Sequence, residues 1–387
     1  MTRKLDRMTD EEFFAIVDDK KTNQAIAKEC SKRVGIEIER TTIRREKTRR
    51  GWEELLKEKQ DKQKKITQTE FKNLFIEAMD KTQPLVEIPY HKPFDKKKQI
   101  EQAVMLISDC HIGKTNTFMD VETGNNIDTY NSNKFIDEAN ELLLHTHNII
   151  NYHLSPAYNI QDLWLFLLGD IVDNDMIYRG QRFFIDMDVG KQVITGLRVF
   201  TDYITALLGL FKNIHVVSVP GNHGRASQRY ETTPATRSFD WIFSKMLEIS
   251  FKEEKRIDFT IPDSFFYRQK IYDWGYYLHH GNSVYSWMSL PYYGIVRQGK
   301  SRATEIPYDI ECIGHFHQRM EIPMASTKFT LVNGSWIPKD KFSWEKFGVY
   351  SYPEQIFFGV SRKRPRTWQF NIDLFNEKQR QDFYRRK

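Results

Sequence analysis

Residues 163–173 read LWLFLLGDIVD, an apolar run of six that stops at Gly169 and then presents two carboxylates, Asp170 and Asp173. The run is far shorter than the roughly 18 residues of a membrane span and has the length of a buried strand. Four other segments follow the same plan: VMLISDCH at 104–111, HVVSVPGNH at 215–223, YYLHHG at 276–281 and IECIGHFH at 310–317. In each, strand-forming residues run into polar ones, with Gly beside most of them to let the backbone turn and approach closely. A further strand is expected at 329–332, and helical spacing marks 133–152 and 189–211. Strands alternating with long helices predict an α/β domain, in which sites form beyond the carboxyl ends of the strands.

Five such ends would bring carboxylates, imidazoles and one amide into a single crevice. That donor set suits manganese, iron or zinc. The three cysteines, Cys30, Cys110 and Cys312, form no close pair, so neither a structural zinc site nor a disulfide framework is expected. They read as small buried residues. A pair of ions about 3.5 to 4 Å apart clamps the attacking and leaving oxygens of a phosphoester during in-line displacement.

The succession D-x-H, G-D-x-x-D, G-N-H, H-G and G-H-x-H resembles the calcineurin-like metallophosphoesterase superfamily over residues 104–336. The turn Asn333, Gly334, Ser335 resembles the end of the domain in SbcD-type DNA repair exonuclease subunits. The resemblance implies an α/β metallophosphoesterase fold of four layers, two stacked sheets flanked by helices. It also implies two divalent ions, Mn2+ first with Fe or Zn as alternatives. Asp109, His111 and His317 would hold one and Asn222, His280 and His315 the other, with Asp170 bridging. Asp173 would accept a hydrogen bond from a ligand histidine, and His223 would be the catalytic histidine beside a metal-activated bridging hydroxide. His279 should face the opposite side of its strand from His280. One position departs from the pattern: relatives place Asp or Glu after G-N-H to orient the catalytic histidine, whereas Gly224 and Arg225 stand here.

Around this core, the 387 residues divide into four expected parts. Residues 1–66 form a helical, helix-turn-helix-like module, 67–100 a connecting helix and Pro-containing linker, 101–345 the catalytic domain, and 346–387 a C-terminal strand extension with a basic tail. The formal charge is +6, and residues 32–65, with thirteen Lys or Arg against seven Asp or Glu, carry an excess of that size. Arg44, Arg45, Arg49 and Arg50 crowd the expected third helix, TTIRREKTRRGW. A solvated face of mixed charge and a phosphate-facing surface both satisfy that pattern.

The substrate must be read outside the core, since the fold and metals serve many phosphoesterases. The basic module and the SRKRPRT stretch at 361–367 favour DNA, with Arg225 and, more weakly, Arg179, Arg182 and Arg302 as candidate phosphate contacts. The expected activity is therefore a DNA nuclease. The alternatives are a phosphatase or phosphodiesterase acting on nucleotides or phosphoproteins, and a DNA-binding scaffold with a weakly active metal fold. DNA is the expected partner, with an ATPase subunit or a second copy of the chain as further candidates. No membrane association is expected, and the absence of an apolar leader in MTRKLDRMTDEE points to the cytoplasm.

Overall fold

The computed structural model describes residues 97–119, 124–227, 233–285, 291–341 and 350–376 without interruption, together with 22–34 and isolated positions between 9 and 47, at 95, at 343, 344 and 348, and at 379 and 380. Two compact units divide the chain, Met1–Asn73 and Leu74–Lys387. In the first, Asn23–Val34 forms helix α1, whose first turn is capped by Thr22 Oγ1 accepting the Ala25 N–H at 3.2 Å. Ile26, Ala27 and Cys30 fall on one buried side of that helix, and Ile43 is buried as well. Arg44, Arg45, Arg49 and Arg50, and the whole of 48–94 with its expected connecting helix and linker, lie outside the described residues.

The second unit is built on strands that follow in chain order: β1 (Gln99–Ile107), β2 (Asn116–Met119), β3 (Asn126–Tyr130), β4 (Tyr158–Leu167), β5 (Asn213–Ser218), β6 (Ile257–Thr260), β7 (Phe266–Ile271), β8 (Trp274–His279), β9 (Ile310–Ile313), β10 (Met320–Pro323), β11 (Phe329–Val332), β12 (Glu354–Val360) and β13 (Gln369–Asp373). Six make one sheet in the order β13-β12-β1-β4-β5-β6, and five make another in the order β10-β11-β9-β8-β7. β2 and β3 pair as a separate hairpin. Strands β1, β4, β5 and β6 are mutually parallel, as are β8, β9 and β11.

Alternation along β1 shows how the layers stack. Ala103, Met105 and Ile107 face a core shared with helices α2 (Ser132–Asn148), α3 (Val189–Leu207) and α4 (Phe239–Ser250). Val104 and Leu106 face the opposite way, into a core shared with Tyr276, Leu278, Ile310, Cys312 and Leu331 of the second sheet. That sheet's other face, with Ile313, Ile322 and Val332, packs on Ile295 of helix α5 (Tyr292–Glu305). The result is helices, sheet, sheet, helix, the four layers expected. Both faces of the central strands are dry, which is why they read as unbroken apolar runs rather than alternating ones. Each fully buried Leu, Val or Phe there stabilises the fold by about 1.5–3 kcal/mol.

Helix starts follow local chemistry: Asn131, Asp188 and Ser238 each accept a first-turn N–H with the side chain. Boundaries differ in detail from expectation. The helix expected over 133–152 changes to a π-helical stretch at Ile149–Leu154, and the one expected to 211 closes at Leu207. β12, antiparallel to β1, is almost wholly buried one strand in from the edge of the first sheet. Among the described residues, no helix is long and apolar enough to cross a membrane.

Candidate metal centre

The parallel strands end where the motif residues begin: β1 before Asp109 and His111, β4 before Asp170 and Asp173, β5 before Asn222 and His223, β8 before His280, and β9 before His315 and His317. Asp109, His111, Asp170, His315 and His317 all have left-handed backbone, with φ of 55, 45, 53, 71 and 56°. Non-glycine residues rarely adopt that conformation, and each instance costs on the order of 1–3 kcal/mol. Five together, at the ends of β1, β4 and β9, turn the side chains into one crevice. Gly169 and Gly221 permit a close backbone approach: a Cβ on Gly169 would lie 2.3 Å from Gly221 N, and one on Gly221 2.3 Å from Asp170 N.

Asp109, His111 and His317 bring one ligand atom each within metal-binding reach of the others. His111 Nε2 and His317 Nε2 are 3.0 Å apart, and His317 Nε2 lies 3.4 Å from Asp109 Oδ1. On the far side of each ring stands a carboxylate: His111 Nδ1 is 2.8 Å from Asp173 Oδ1, and His317 Nδ1 2.7 Å from Asp340 Oδ2. Such bonds fix the tautomer that leaves Nε2 as the ligand atom. Asp340 was not legible in the sequence, because it lies on a turn far along the chain from His317 and belongs to none of the repeating strand-end motifs.

Asp170, His280 and His315 make a second group of the same kind. His280 donates Nδ1–H to the Leu168 carbonyl at 2.8 Å, leaving Nε2 at 2.9 Å from Asp170 Oδ2. The same oxygen lies 3.9 Å from His111 Nε2, so one carboxylate oxygen faces both groups. Asn222 turns its Nδ2 toward the Tyr178 hydroxyl at 3.2 Å, while its Oδ1 is buried with no hydrogen-bond partner among the described residues. A buried amide oxygen left this way is costly unless a cation or water meets it. With carboxylate and imidazole donors around it, the set fits divalent ions of the manganese, iron or zinc type.

His223 stands beside both groups. Its Nδ1 is 3.1 Å from Asp173 Oδ1 and 3.0 Å from the Asp173 carbonyl, and its N–H donates to Asp170 Oδ1 at 2.7 Å. The carboxylate expected after G-N-H is thus supplied from the 170–173 turn. Gly224 has no room for a side chain, since a Cβ there would meet Ser238 Oγ at 2.5 Å and Asp240 Cγ at 2.8 Å. Asp240 is a buried brace, accepting the N–H groups of Asp170 and Gly221 at 2.9 Å and of Ile171 at 3.2 Å. Gln181 Nε2 donates to Asp173 Oδ2 at 3.1 Å, and Asn174 Nδ2 to the carbonyls of His223 and Arg225 at 2.9 and 2.7 Å. Neither residue sits in a recognisable motif.

The electrostatics follow from burial and pairing. Burial, aided by His223, lowers His111 to about 4, and burial with His280 lowers His315 to about 3, so both present neutral imidazoles. Burial opposes charge at His280 and His317 too, but Asp170 for the first, and Asp340 with Asp109 for the second, outweigh it and raise each to about 9. Asp170 is buried yet held well below the usual carboxylate range by His280 and His223. His223 is raised despite burial, by Asp170 and Asp173.

The remaining candidates are placed less centrally. His279 points away, 2.9 Å from Glu311 Oε1, and Arg302 NH1 binds that same oxygen at 3.0 Å. Arg225 is half-buried, while Arg179 and Arg182 are exposed on the loop after Asp173. In the 361–367 stretch, Arg366 is engaged by Glu321 at 2.7 and 2.8 Å. Cys110 and Cys312 are buried. Asn333 joins the sheets, donating to Ser108 Oγ and Gln355 Oε1 at 3.0 and 2.7 Å.

No family model matches the sequence, and no curated protein matches it. Among solved structures the chain is similar to Vps29 complexed with zinc from Entamoeba histolytica, at 12% identity over 70% of this chain and 99% of that one, with a TM-score of 0.29. A conserved protein from Streptococcus pneumoniae described as a predicted phosphoesterase gives 10% identity, 70% and 98% coverage and 0.29. A putative 5'-nucleotidase from Staphylococcus aureus in complex with α-ketoglutarate gives 9%, 72% and 55%, and 0.30. Likeness this loose decides nothing about chemistry, which rests on the geometry above.

Proposed function

We propose that this chain is a metal-dependent phosphoesterase of the calcineurin-like kind that cleaves phosphodiester bonds in DNA. The observation that carries the metal chemistry is Asp170 Oδ2, set 2.9 Å from His280 Nε2 in its own ligand group and 3.9 Å from His111 Nε2 in the other. Asp109, His111 and His317 would hold one divalent ion, Asn222, His280 and His315 the other, and Asp170 both. When bound, such a pair supplies the charge that acidifies a water and offsets the negative charge gathering on phosphoryl oxygens.

The chain's own groups account for the rest of the reaction. Asp173 takes the Nδ1 side of His223, which leaves Nε2 as the nitrogen that can pass a proton to the departing oxygen. Although burial opposes charge there, Asp170 and Asp173 shift His223 upward, the direction that favours a ring carrying the proton to be passed on. Nucleic acid as substrate is supported by the basic excess over 32–65, suited to salt-sensitive attachment to a polyphosphate. It is supported also by Phe183 and Phe184, exposed just beyond Gln181, which offer bases a stacking surface beside Arg182.

Purified full-length protein with Mn2+ should cleave labelled DNA in preference to a nucleotide monophosphate or a phosphopeptide. Changing Arg44, Arg45, Arg49 and Arg50 together to Ala should flatten the salt dependence of DNA binding by about one unit of slope per lost phosphate contact. Preference for the nucleotide or phosphopeptide, with the salt slope unchanged, would replace DNA by those substrates.

A further inference from the structure

Two groups, the buried Asp340 and the partly buried Lys114, line up behind one ligand of the proposed centre, His317. Lys114 Nζ is 3.1 Å from Asp340 Oδ1, Asp340 Oδ2 is 2.7 Å from His317 Nδ1, and His317 Nε2 is 3.0 Å from His111 Nε2. Asp340 is 1% exposed, and its N–H donates to Ser351 Oγ at 2.7 Å, itself bonded to the Ile337 carbonyl. Asn116 Nδ2 grips the carbonyls of Pro338 and Lys339 at 3.1 and 3.3 Å, so the turn carrying Asp340 is fixed to the chain just beyond Lys114. Lys114 N in turn donates to the His111 carbonyl at 3.0 Å. In the second ligand group the corresponding nitrogen of His280, Nδ1, is met instead by the neutral Leu168 carbonyl.

We propose that Asp340, with Lys114 behind it, is a positioning residue that holds the His317 ring by Nδ1 and thereby sets how tightly the pocket of Asp109, His111 and His317 binds its ion. A carboxylate on the far nitrogen fixes ring orientation and raises the basicity of the ligating nitrogen, and removing one from a metal site weakens binding by about 10 to 100-fold. Lys114 offsets the charge of Asp340, so the carboxylate can remain ionised in a dry site without drawing His317 away from its ligand position. The proposal rests on the two-ion reading above, but its consequence is confined to one of the two ions.

Full-length protein stripped of metal and titrated with Mn2+ by calorimetry tests it directly. The natural sequence should bind two ions, and Asp340→Asn, nearly the same in shape, should weaken one of the two steps by about 10 to 100-fold while leaving the other within a few-fold. Nitrogen-15 resonances of the His317 ring should show loss of the strongly bonded Nδ1–H in Asp340→Asn, and Asp340→Glu should restore part of both signals. Equal weakening of both steps together with a lower melting temperature would show a merely structural residue and overturn the proposal, as would two unchanged steps. Failure of the natural sequence to bind any ion would overturn the metal reading itself, a result distinguishable from either.

Discussion

One oxygen of Asp173 serves two imidazoles: Oδ1 lies 2.8 Å from His111 Nδ1 and 3.1 Å from His223 Nδ1, the two rings meeting edge to face at 4.5 Å. A single carboxylate therefore orients a proposed metal ligand and the proposed proton donor at once, while Gln181 holds its other oxygen. Asp173→Asn should lower metal affinity about 10 to 100-fold and turnover by about 10²-fold or more even at saturating metal. Calorimetry and saturating-metal kinetics separate the two losses. Recovery of full turnover at high metal would confine Asp173 to His111.

His223 belongs to neither of the two groups that face Asp170 Oδ2, although with His111 and Asp173 it makes a third cluster of possible ligand atoms. His223→Ala is expected to bind two ions almost normally and to lose about 10² to 10⁴-fold in turnover. The loss should be smallest for substrates whose leaving group needs no proton, such as p-nitrophenolate esters. Loss of an ion in this variant, seen by metal analysis, would make His223 a ligand instead.

Glu138 gives a prediction about stability rather than turnover. It is fully buried on α2, neither carboxyl oxygen has a hydrogen-bond partner among the described residues, and burial pushes its pKa well above the ordinary value. For an acid raised on folding, stability is full below the unfolded pKa and is lost as pH rises toward the folded one, by about 1.4 kcal/mol per unit. Glu138→Gln should therefore match the natural sequence near the unfolded pKa and grow steadily more stable relative to it as pH is raised toward neutral. Melting temperatures across that range check the sign; a constant difference would mean that Glu138 is ionised in the fold.

Much of this architecture was legible because the strands are buried on both faces. Runs such as 163–168 stop where a polar residue enters the crevice, so strand end and ligand announce each other. Other parts gave no such signal. β12 carries IFFGV into the first sheet, but its partner β1 lies some 250 positions earlier, and pairing over such a separation leaves no local pattern. Asp340, Asp240 and Asn174 act through bonds to residues distant in sequence, Gln181 reaches back across a loop to Asp173, and their own neighbourhoods look like ordinary turns or a helix start. The departure at Gly224 left open what orients His223, and no local pattern announces that Asp173 stands 3.1 Å from its Nδ1.

The central claim is that Asp170 joins two ions into one hydrolytic centre, and it is tested most directly by measuring ion stoichiometry and phosphodiester turnover together in the natural sequence and in Asp170→Asn. The natural sequence should bind two divalent ions and hydrolyse bis-p-nitrophenyl phosphate only when they are present. Asp170→Asn, losing charge at both positions, should weaken both ions and reduce turnover by about 10³-fold or more. Undiminished hydrolysis in excess chelator, or two ions and normal turnover in Asp170→Asn, would contradict the account.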